Sequence, residues 1–161
     1  MARTDNEIRV TPSVLDRLLD FEPQVSEEVP KSRSKSLREL KQSVKRDLEW
    51  LLNARIYASE FDENLEEIKK SVLTCGLPDF TGISARNMED LEGLSGAIEK
   101  AIRNFEPRFL NVEIELEPID NANRILNFKI EAFLDIEPTP EPIVFDTILQ
   151  LGSGDFEIKQ R

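Results

Sequence analysis

The spacing of the apolar positions along this chain is helical in its first two thirds and alternating in its last third. The stretch "SLRELKQSVKRDLEWLLNAR" has apolar residues every three or four positions, which predicts a long amphipathic helix that begins at a Ser36–Glu39 capping box. The stretch "NMEDLEGLSGAIEKAIRNF" predicts a second helix, capped by Asn87. Gly93 and Gly96 weaken this helix and would permit close packing against a neighbour.

Shorter patterns surround these two helices. "TPSVLDRLLDF" predicts a short helix with Thr11 as its N-cap and Pro12 at its first position. "EPQVSEEVPKSRSKS" contains two prolines and no periodicity, which is typical of a linker. "DENLEEIKKSVL" predicts a further helix, and "TCGLPDFTGIS" predicts a turn region.

In the last third, apolar and polar residues alternate. "FLNVEIELEP" places Val112, Ile114 and Leu116 on one side and its glutamates on the other. After a "DNAN" turn, "RILNFKIEAFLDIEP" repeats the pattern, and "IVFDTILQL" and the residues after "LGSG" follow. The chain is therefore predicted to be α+β, with N-terminal helices packed on a small C-terminal antiparallel meander. We expect an N-terminal arm with a short helix and linker (1–35) and one α+β domain (36–161).

Composition excludes several classes of chemistry. The 161-residue chain contains no histidine and one cysteine, so histidine-based catalytic pairs, most zinc sites and an internal disulfide cannot form. We expect no cofactor and no metal. The net charge of −11 argues against nucleic acid as a partner, and no apolar run is long enough to span a bilayer, which predicts a cytoplasmic protein.

The charge is unevenly distributed. Residues 31–55 contain eight Lys or Arg and three acidic residues, a net charge of +5. Residues 106–142 contain three Lys or Arg and nine acidic residues, a net charge of −6. This asymmetry is compatible with assembly on charged protein surfaces, and solvated faces explain it about as well.

The triplet Glu106-Pro107-Arg108 lies where the helical pattern stops. Pro107 ends the helix, and the extended chain points Glu106 and Arg108 to the same side. The triplet can therefore be a junction fixed by a charge pair, a docking surface or a catalytic acid. A glycosidase acid needs a raised pKa and a second carboxylate. A neighbouring arginine instead lowers the pKa of a carboxyl group. Of the candidate second carboxylates, Asp120, Asp135 and Asp146, none has a spacing that distinguishes it. We therefore assign no catalytic residue, with a peptidoglycan-cleaving glycosidase that uses Glu106 as the alternative.

Other polar residues have ordinary structural interpretations. Asp135 and Asp146 lie within strand patterns and need a cation, such as Arg108 or Arg124, only if that sheet face is covered. Cys75 is expected to be a small buried residue, and "LGSGDF" lacks the ending of a phosphate-binding loop. The meander leaves at least one strand edge that a partner strand could extend.

Four motifs in order resemble one family. "VKRDLEWLLNAR", "SVLTCGLPDF", "AIRNFEPRF" and "EPIVFDTILQLGSGDFEI" are similar to the lysozyme-like baseplate wedge family of contractile injection machines, the sheath initiators, and especially to its TssE-like members in type VI secretion systems. The resemblance covers about residues 10–159. Thr74-Cys75 and Phe109 depart from the family pattern, and neither departure touches the Glu106-Pro107-Arg108 triplet.

The resemblance implies a structural role. The triplet would be the hallmark of the family, and the family is regarded as non-enzymatic. The expected partners are the sheath subunits TssB and TssC, and the wedge proteins TssF and TssG, at a baseplate docked on the inner membrane. The strand edge expected to bind the sheath comprises Ile143, Val144, Phe145, Asp146, Thr147, Ile148 and Leu149.

Overall fold

The structure is a computed structural model and describes residues 13–19, 24, 33–57, 64–80, 87–117 and 125–160. Its helices in these ranges are α1 (Val14–Leu18), α2 (Arg33–Asn53) and α3 (Met88–Phe105), with two 3₁₀ turns (Ile68–Lys70 and Val72–Thr74) before α3. The strands are β1 (Phe109–Leu116), β2 (Ile125–Leu134), β3 (Glu141–Gln150) and β4 (Phe156–Gln160). This order of helices and strands confirms the predicted α+β class.

The four strands form one antiparallel sheet in the order β1-β2-β3-β4. The predicted alternation is confirmed, because alternate residues of each strand face the helices. The largest buried side chains of the sheet are Leu126, Phe128, Ile130, Leu134, Phe145 and Leu149. The intervening side chains lie on the outer face, which no described helix covers. The predicted "DNAN" turn lies outside the described residues, and so does most of the predicted linker over residues 22–36. Its last four residues, 33–36, belong to α2, so the linker prediction is wrong there.

The first strand contains a bulge that changes its alternation. The register with β2 shifts between Leu110 and Glu113, and Asn111 has a φ of 50°. Asparagine tolerates this left-handed conformation better than most residues. As a result, both Phe109 and Val112 face the core although they are three positions apart.

Helices α2 and α3 cover the inner face of the sheet. Each helix buries one apolar stripe, which in α3 comprises Leu91, Leu94, Ile98, Ala101 and Ile102. Asn87 caps α3 as predicted, its side chain accepting a hydrogen bond from the Glu89 N–H. Trp50 lies off the α2 stripe, exposed, with the Arg46 guanidinium carbon 5.2 Å from its ring centroid. None of the described helices is long and apolar enough to cross a bilayer.

The starts of the first two helices differ from the predictions. Helix α1 is capped by Ser13, whose hydroxyl accepts from the Asp16 N–H, and the predicted cap residues Thr11 and Pro12 lie outside the described residues. Helix α2 already includes Arg33, so Ser36 lies inside the helix and the predicted capping box with Glu39 is wrong. A serine followed by an acid three residues later does not mark the start of a helix when the residues before the serine are helical as well.

The predicted helix over "DENLEEIKKSVL" is also wrong, because its described part, residues 64–73, forms turns and parts of two separate 3₁₀ helices. Ser71 is extended between them, and its hydroxyl accepts from the Leu73 N–H. This local hydrogen bond competes with helical pairing. Leu65 and Val72 remain exposed, so no continuous apolar stripe holds the segment in a helix.

The glycines differ in what their lack of a side chain permits. A Cβ at Gly93 or Gly96 would meet no described atom within 4 Å beyond the adjoining backbone of α3 itself, so the expected close packing against a neighbour is wrong. Gly76 instead has a φ of +111°, and a Cβ there would lie 2.5 Å from the Ala54 carbonyl oxygen. That oxygen accepts a hydrogen bond from the Leu77 N–H, which joins the end of α2 to the turn.

We therefore expect Gly76→Ala to destabilise the protein by about 3 kcal/mol, because strain in the left-handed region and a backbone clash add. Gly96→Ala is the matched control, and should stabilise α3 by about 0.5–1 kcal/mol since alanine favours helices. Urea unfolding at pH 7 gives both values. Equal effects of the two substitutions would contradict the assigned role of Gly76.

Candidate functional site

The Glu106-Pro107-Arg108 triplet forms the corner between α3 and β1. Glu106 is the C-cap of α3, and its N–H donates to the Ile102 carbonyl at 2.8 Å. Pro107 cannot extend the helix, and β1 begins at Phe109. The corner is therefore specified locally, by one proline directly after the last helical hydrogen bond.

Glu106 and Arg108 bind each other through a two-pronged ion pair. The Arg108 Nε donates to Glu106 Oε1 at 2.6 Å, and an Arg108 terminal nitrogen donates to Oε2 at 2.5 Å. The Arg108 backbone N–H also donates to Oε1, at 3.2 Å. Glu106 is only 4% exposed, so its negative charge is buried and depends on this arginine.

Arg108 also reaches across to α2. It donates to Asp47 Oδ2 at 2.8 Å and to the Ser43 hydroxyl at 3.2 Å. The hydrogen bond to Glu106 is the largest cause of a raised Arg108 pKa, which burial opposes and Asp47 reinforces. One guanidinium thus fastens the end of α3 and the start of β1 to the middle of α2.

The same set of charges continues to α1. Asp16 accepts hydrogen bonds from Ser13 at 2.6 Å, Ser43 at 2.7 Å and Arg46 at 2.8 Å. Arg46 also binds Asp47, at 2.7 Å. We call the six residues that join α1, α2 and the corner the junction network: Asp16, Ser43, Arg46, Asp47, Glu106 and Arg108.

Asp16 has a strongly perturbed pKa. Burial alone would raise the pKa of this carboxyl, but hydrogen bonds from Ser13, Ser43 and Arg46 outweigh burial and lower the pKa to about 2. Helix α1 itself has no buried residue. Its attachment to the rest of the protein therefore depends heavily on this one carboxylate.

The predicted strand edge at residues 143–149 needs a correction. These residues belong to β3, which is an inner strand paired with β2 and, at residues 145–149, with β4 as well. Ile143, Phe145, Thr147 and Leu149 also point into the core. From Phe145 to Leu149 the backbone of β3 is paired on both sides, so among the described strands β1 and β4 are the outermost ones, where an added strand can pair. A partner-binding role for the outward side chains of β3 stays a prediction.

At β1 the open backbone groups include those of Ile114 and Leu116. The Glu117 N–H donates to the Asn127 carbonyl, and antiparallel pairs alternate, so the N–H and C=O groups of Glu113 and Glu115 face β2. Those of Ile114 and Leu116 face away from β2. Among the described residues, no hydrogen bond reaches these outward groups.

At β4 the outward groups belong to Phe156, Ile158 and Gln160, by the same reasoning from the pairing of Gln150 with Asp155. Asn53 of α2 covers the first of them. Its side-chain amide donates to the Phe156 carbonyl at 3.0 Å and accepts from the Phe156 N–H at 2.9 Å. The open part of the β4 edge is therefore shorter than the strand.

Comparison with protein families matches residues 38–139, from α2 through the loop after β2, to the family of the baseplate wedge protein gp25. This chain belongs to that family. The match includes the triplet, three residues of the network on α2 and the first two strands. It confirms the resemblance to TssE-like baseplate subunits and supports a structural role in a baseplate. No curated protein matches the chain.

Sequence reasoning found the triplet of this gp25-family chain but missed its partners. Ser43, Arg46 and Asp47 share one side of α2, beside the apolar stripe. On a helix, residues three and four apart are neighbours, so this cluster of polar residues was the available signal. It looked like a solvated face, because Glu106 and Arg108 lie more than 55 residues further along the chain.

The side chains of the remaining candidates take no part in the junction network. Asp135 is exposed, and its N–H donates to the Arg108 carbonyl at 2.8 Å. Asp146 lies on the outer sheet face between Lys129 and Lys159 in register, and its other expected cation, Arg124, lies outside the described residues. Cys75 is partly buried against the core, where burial raises its pKa.

Removing Arg108 should destabilise this wedge protein more than removing Glu106. Arg108→Ala leaves a buried carboxylate without its cation, which costs about 3–5 kcal/mol. Glu106→Ala leaves an arginine that is 25% exposed and still binds Asp47, so we expect about 1–3 kcal/mol. Urea unfolding of both variants and of the double variant measures this order. A smaller effect of Arg108→Ala would show that Glu106 is solvated.

The attachment of α1 should weaken in acid. Because the Asp16 pKa is lowered to about 2, its stabilisation is complete above the unfolded value near 4 and is lost as the pH falls through about 2. The carboxyl is near the surface, so roughly 1 kcal/mol is expected. The carbon-13 shift of the Asp16 carboxyl should titrate with a midpoint near 2. Asp16→Asn should abolish this dependence, and a midpoint near 4 would contradict the network.

Proposed function

We propose that this chain is a non-enzymatic wedge component of a type VI secretion baseplate that initiates sheath assembly by offering a strand edge to the first sheath ring. The observation that supports this proposal is the sheet itself. One of its faces is filled by α2 and α3, and its outermost strands carry outward backbone groups that no described residue satisfies. Such an edge binds an added strand without any catalytic group.

The junction network gives this edge a fixed direction. Glu106 and Arg108 set the angle at which β1 leaves α3, and Asp47 ties that corner to α2. Strand addition requires that the edge be held still, since a mobile edge loses conformational entropy when it pairs. In this proposal the triplet therefore acts as a positioning element, and the sheath subunits TssB and TssC contact the sheet.

The helical side would contact the rest of the wedge. Helix α2 contains most of the basic residues of the 31–55 region, and such a surface suits acidic faces of TssF and TssG. These two proteins would link the chain to a cytoplasmic baseplate docked at the inner membrane. The sheath and the wedge would then occupy different faces of one domain.

The alternative function, a peptidoglycan glycosidase, fits the site poorly. A general acid must reach the glycosidic oxygen, yet both Glu106 oxygens bind Arg108 and the residue is 4% exposed. A Glu106→Gln variant tests this directly. Release of soluble fragments from peptidoglycan by the native protein, lost in the variant, would establish the hydrolase instead.

The experiment is capture of sheath and wedge proteins by this chain when all are expressed in one cell. Leu116→Pro and Gln160→Pro are matched edge variants, because each removes a single outward N–H and leaves the pairing inside the sheet intact. We expect the native chain to retain TssB, TssC, TssF and TssG. At least one edge variant should lose the sheath and keep the wedge.

Two results would contradict the proposal. If both edge variants retain the sheath as well as the native chain does, the sheath binds elsewhere and strand addition is wrong. If the native chain captures neither sheath nor wedge, the type VI assignment is wrong. Thermal unfolding of each variant, measured in parallel, separates loss of the edge from loss of the fold.

A further inference from the structure

We propose that the partner strand adds beside β1, and that it carries lysine or arginine at alternate positions on the outer face of the sheet. This inference rests on the proposed strand-addition function and specifies its edge and the chemistry of the segment that binds. Three observations support it. Charges alternate in sign across the sheet, two glutamates at the β1 edge form no ion pair with a described residue, and the β4 edge is partly occupied by Asn53.

The outer face contains a row of charges that crosses all four strands. In register, Glu115 of β1 lies beside Lys129, Lys129 beside Asp146, and Asp146 beside Lys159 of β4. The sign alternates at every step. Directly opposed side chains in a sheet stabilise each other when their charges differ. A fifth strand next to Glu115 continues the alternation only if it places a cation there.

The glutamates two positions before and after Glu115 strengthen this requirement. Glu113 and Glu117 are exposed, and no described residue forms an ion pair with either of them. Glu113 also lies directly opposite Glu131 of β2, which is an unfavourable like-charge pair. A cation on an added strand would face Glu113 and relieve this repulsion. Lys129 already contacts Glu131 and, at 3.8 Å, Glu115.

The backbone of β1 determines where such a strand can bind. Its open groups are at Ile114 and Leu116, between the three glutamates, and the side chains of both residues face inward and are half-buried. A strand paired there would direct every second side chain toward the helices and the others toward the glutamates. The matching segment therefore alternates apolar and basic residues.

The β4 edge does not favour a basic partner strand in the same way. Asn53 already binds the backbone of Phe156, which leaves only Ile158 and Gln160 open. The side chains beside them that point to the outer face are those of Glu157 and Lys159, which have opposite charges. The Lys159 Nζ lies 3.4 Å from Glu157 Oε1. A basic strand would gain one favourable and one unfavourable neighbour at this edge.

Synthetic peptides test the charge rule with the full chain at pH 7 and low salt. The probes are eight-residue capped peptides of alternating valine and lysine, of alternating valine and glutamate, and of four valines followed by four lysines. We expect only the first to shift the amide signals of Ile114 and Leu116 in nuclear magnetic resonance spectra. The double variant Glu113→Gln, Glu117→Gln should bind it about fivefold more weakly. Glu157→Gln, the matched control on β4, should change nothing.

The inference is overturned if the peptide does not bind, if the block peptide binds equally well, or if the shifts centre on Ile158. Sheath capture distinguishes this failure from failure of the function. Capture that is lost in Gln160→Pro but kept in Leu116→Pro would leave strand addition correct and the β1 edge wrong. Capture that is unchanged in both would reject strand addition itself. Unfolding in urea should show Glu113→Gln at least as stable as the native chain.

Discussion

The buried carboxylate of Glu106 is the constraint on which the rest of this structure depends. A charge with so little access to water needs a cation held in one geometry, and Arg108 provides it from two residues away. That arginine in turn binds Ser43 and Asp47 of α2. The helix that precedes the sheet, the strand that begins it and the helix that covers it are therefore fixed relative to one another by one electrostatic requirement.

Because the network lies at one end of the sheet, it leaves the rest of the sheet free. The hydrophobic core fills the inner face, while the outer face and the outward backbone groups of β1 lie outside it. An assembly protein needs a rigid body and an unoccupied surface, and the rigidity here comes from residues that a partner strand would not touch.

Much of the fold was predictable from the sequence, because long periodic segments are decided by burial. Helix α3, with its Asn87 cap, and the alternation of β1 to β4 follow from residue order alone. The breaks were less predictable. Ser71 interrupts a helical pattern by a local hydrogen bond, and α2 begins upstream of Ser36. In both places weak local preferences compete, and tertiary contacts decide which one is realised.

The site was only half predictable for a different reason. The sequence indicates that Glu106 and Arg108 share a side, since they are neighbours in an extended chain. It does not reveal Asp47 or Asp16, whose contacts depend on how α1 and α2 pack. The edge was misplaced for the same reason, because β3 pairs with β4 as well as with β2. Long-range pairing order is not a property of any single segment.

Trp50 gives the junction network an optical consequence. The chain has one tryptophan, and the guanidinium that lies against its ring belongs to Arg46, the same group that holds Asp16. Release of α1 would remove the Asp16 contact of that guanidinium and leave Asp47 to hold it, which changes the charge balance beside the indole. The emission of this one tryptophan should therefore report, in the isolated chain and without any added label, whether α1 is attached.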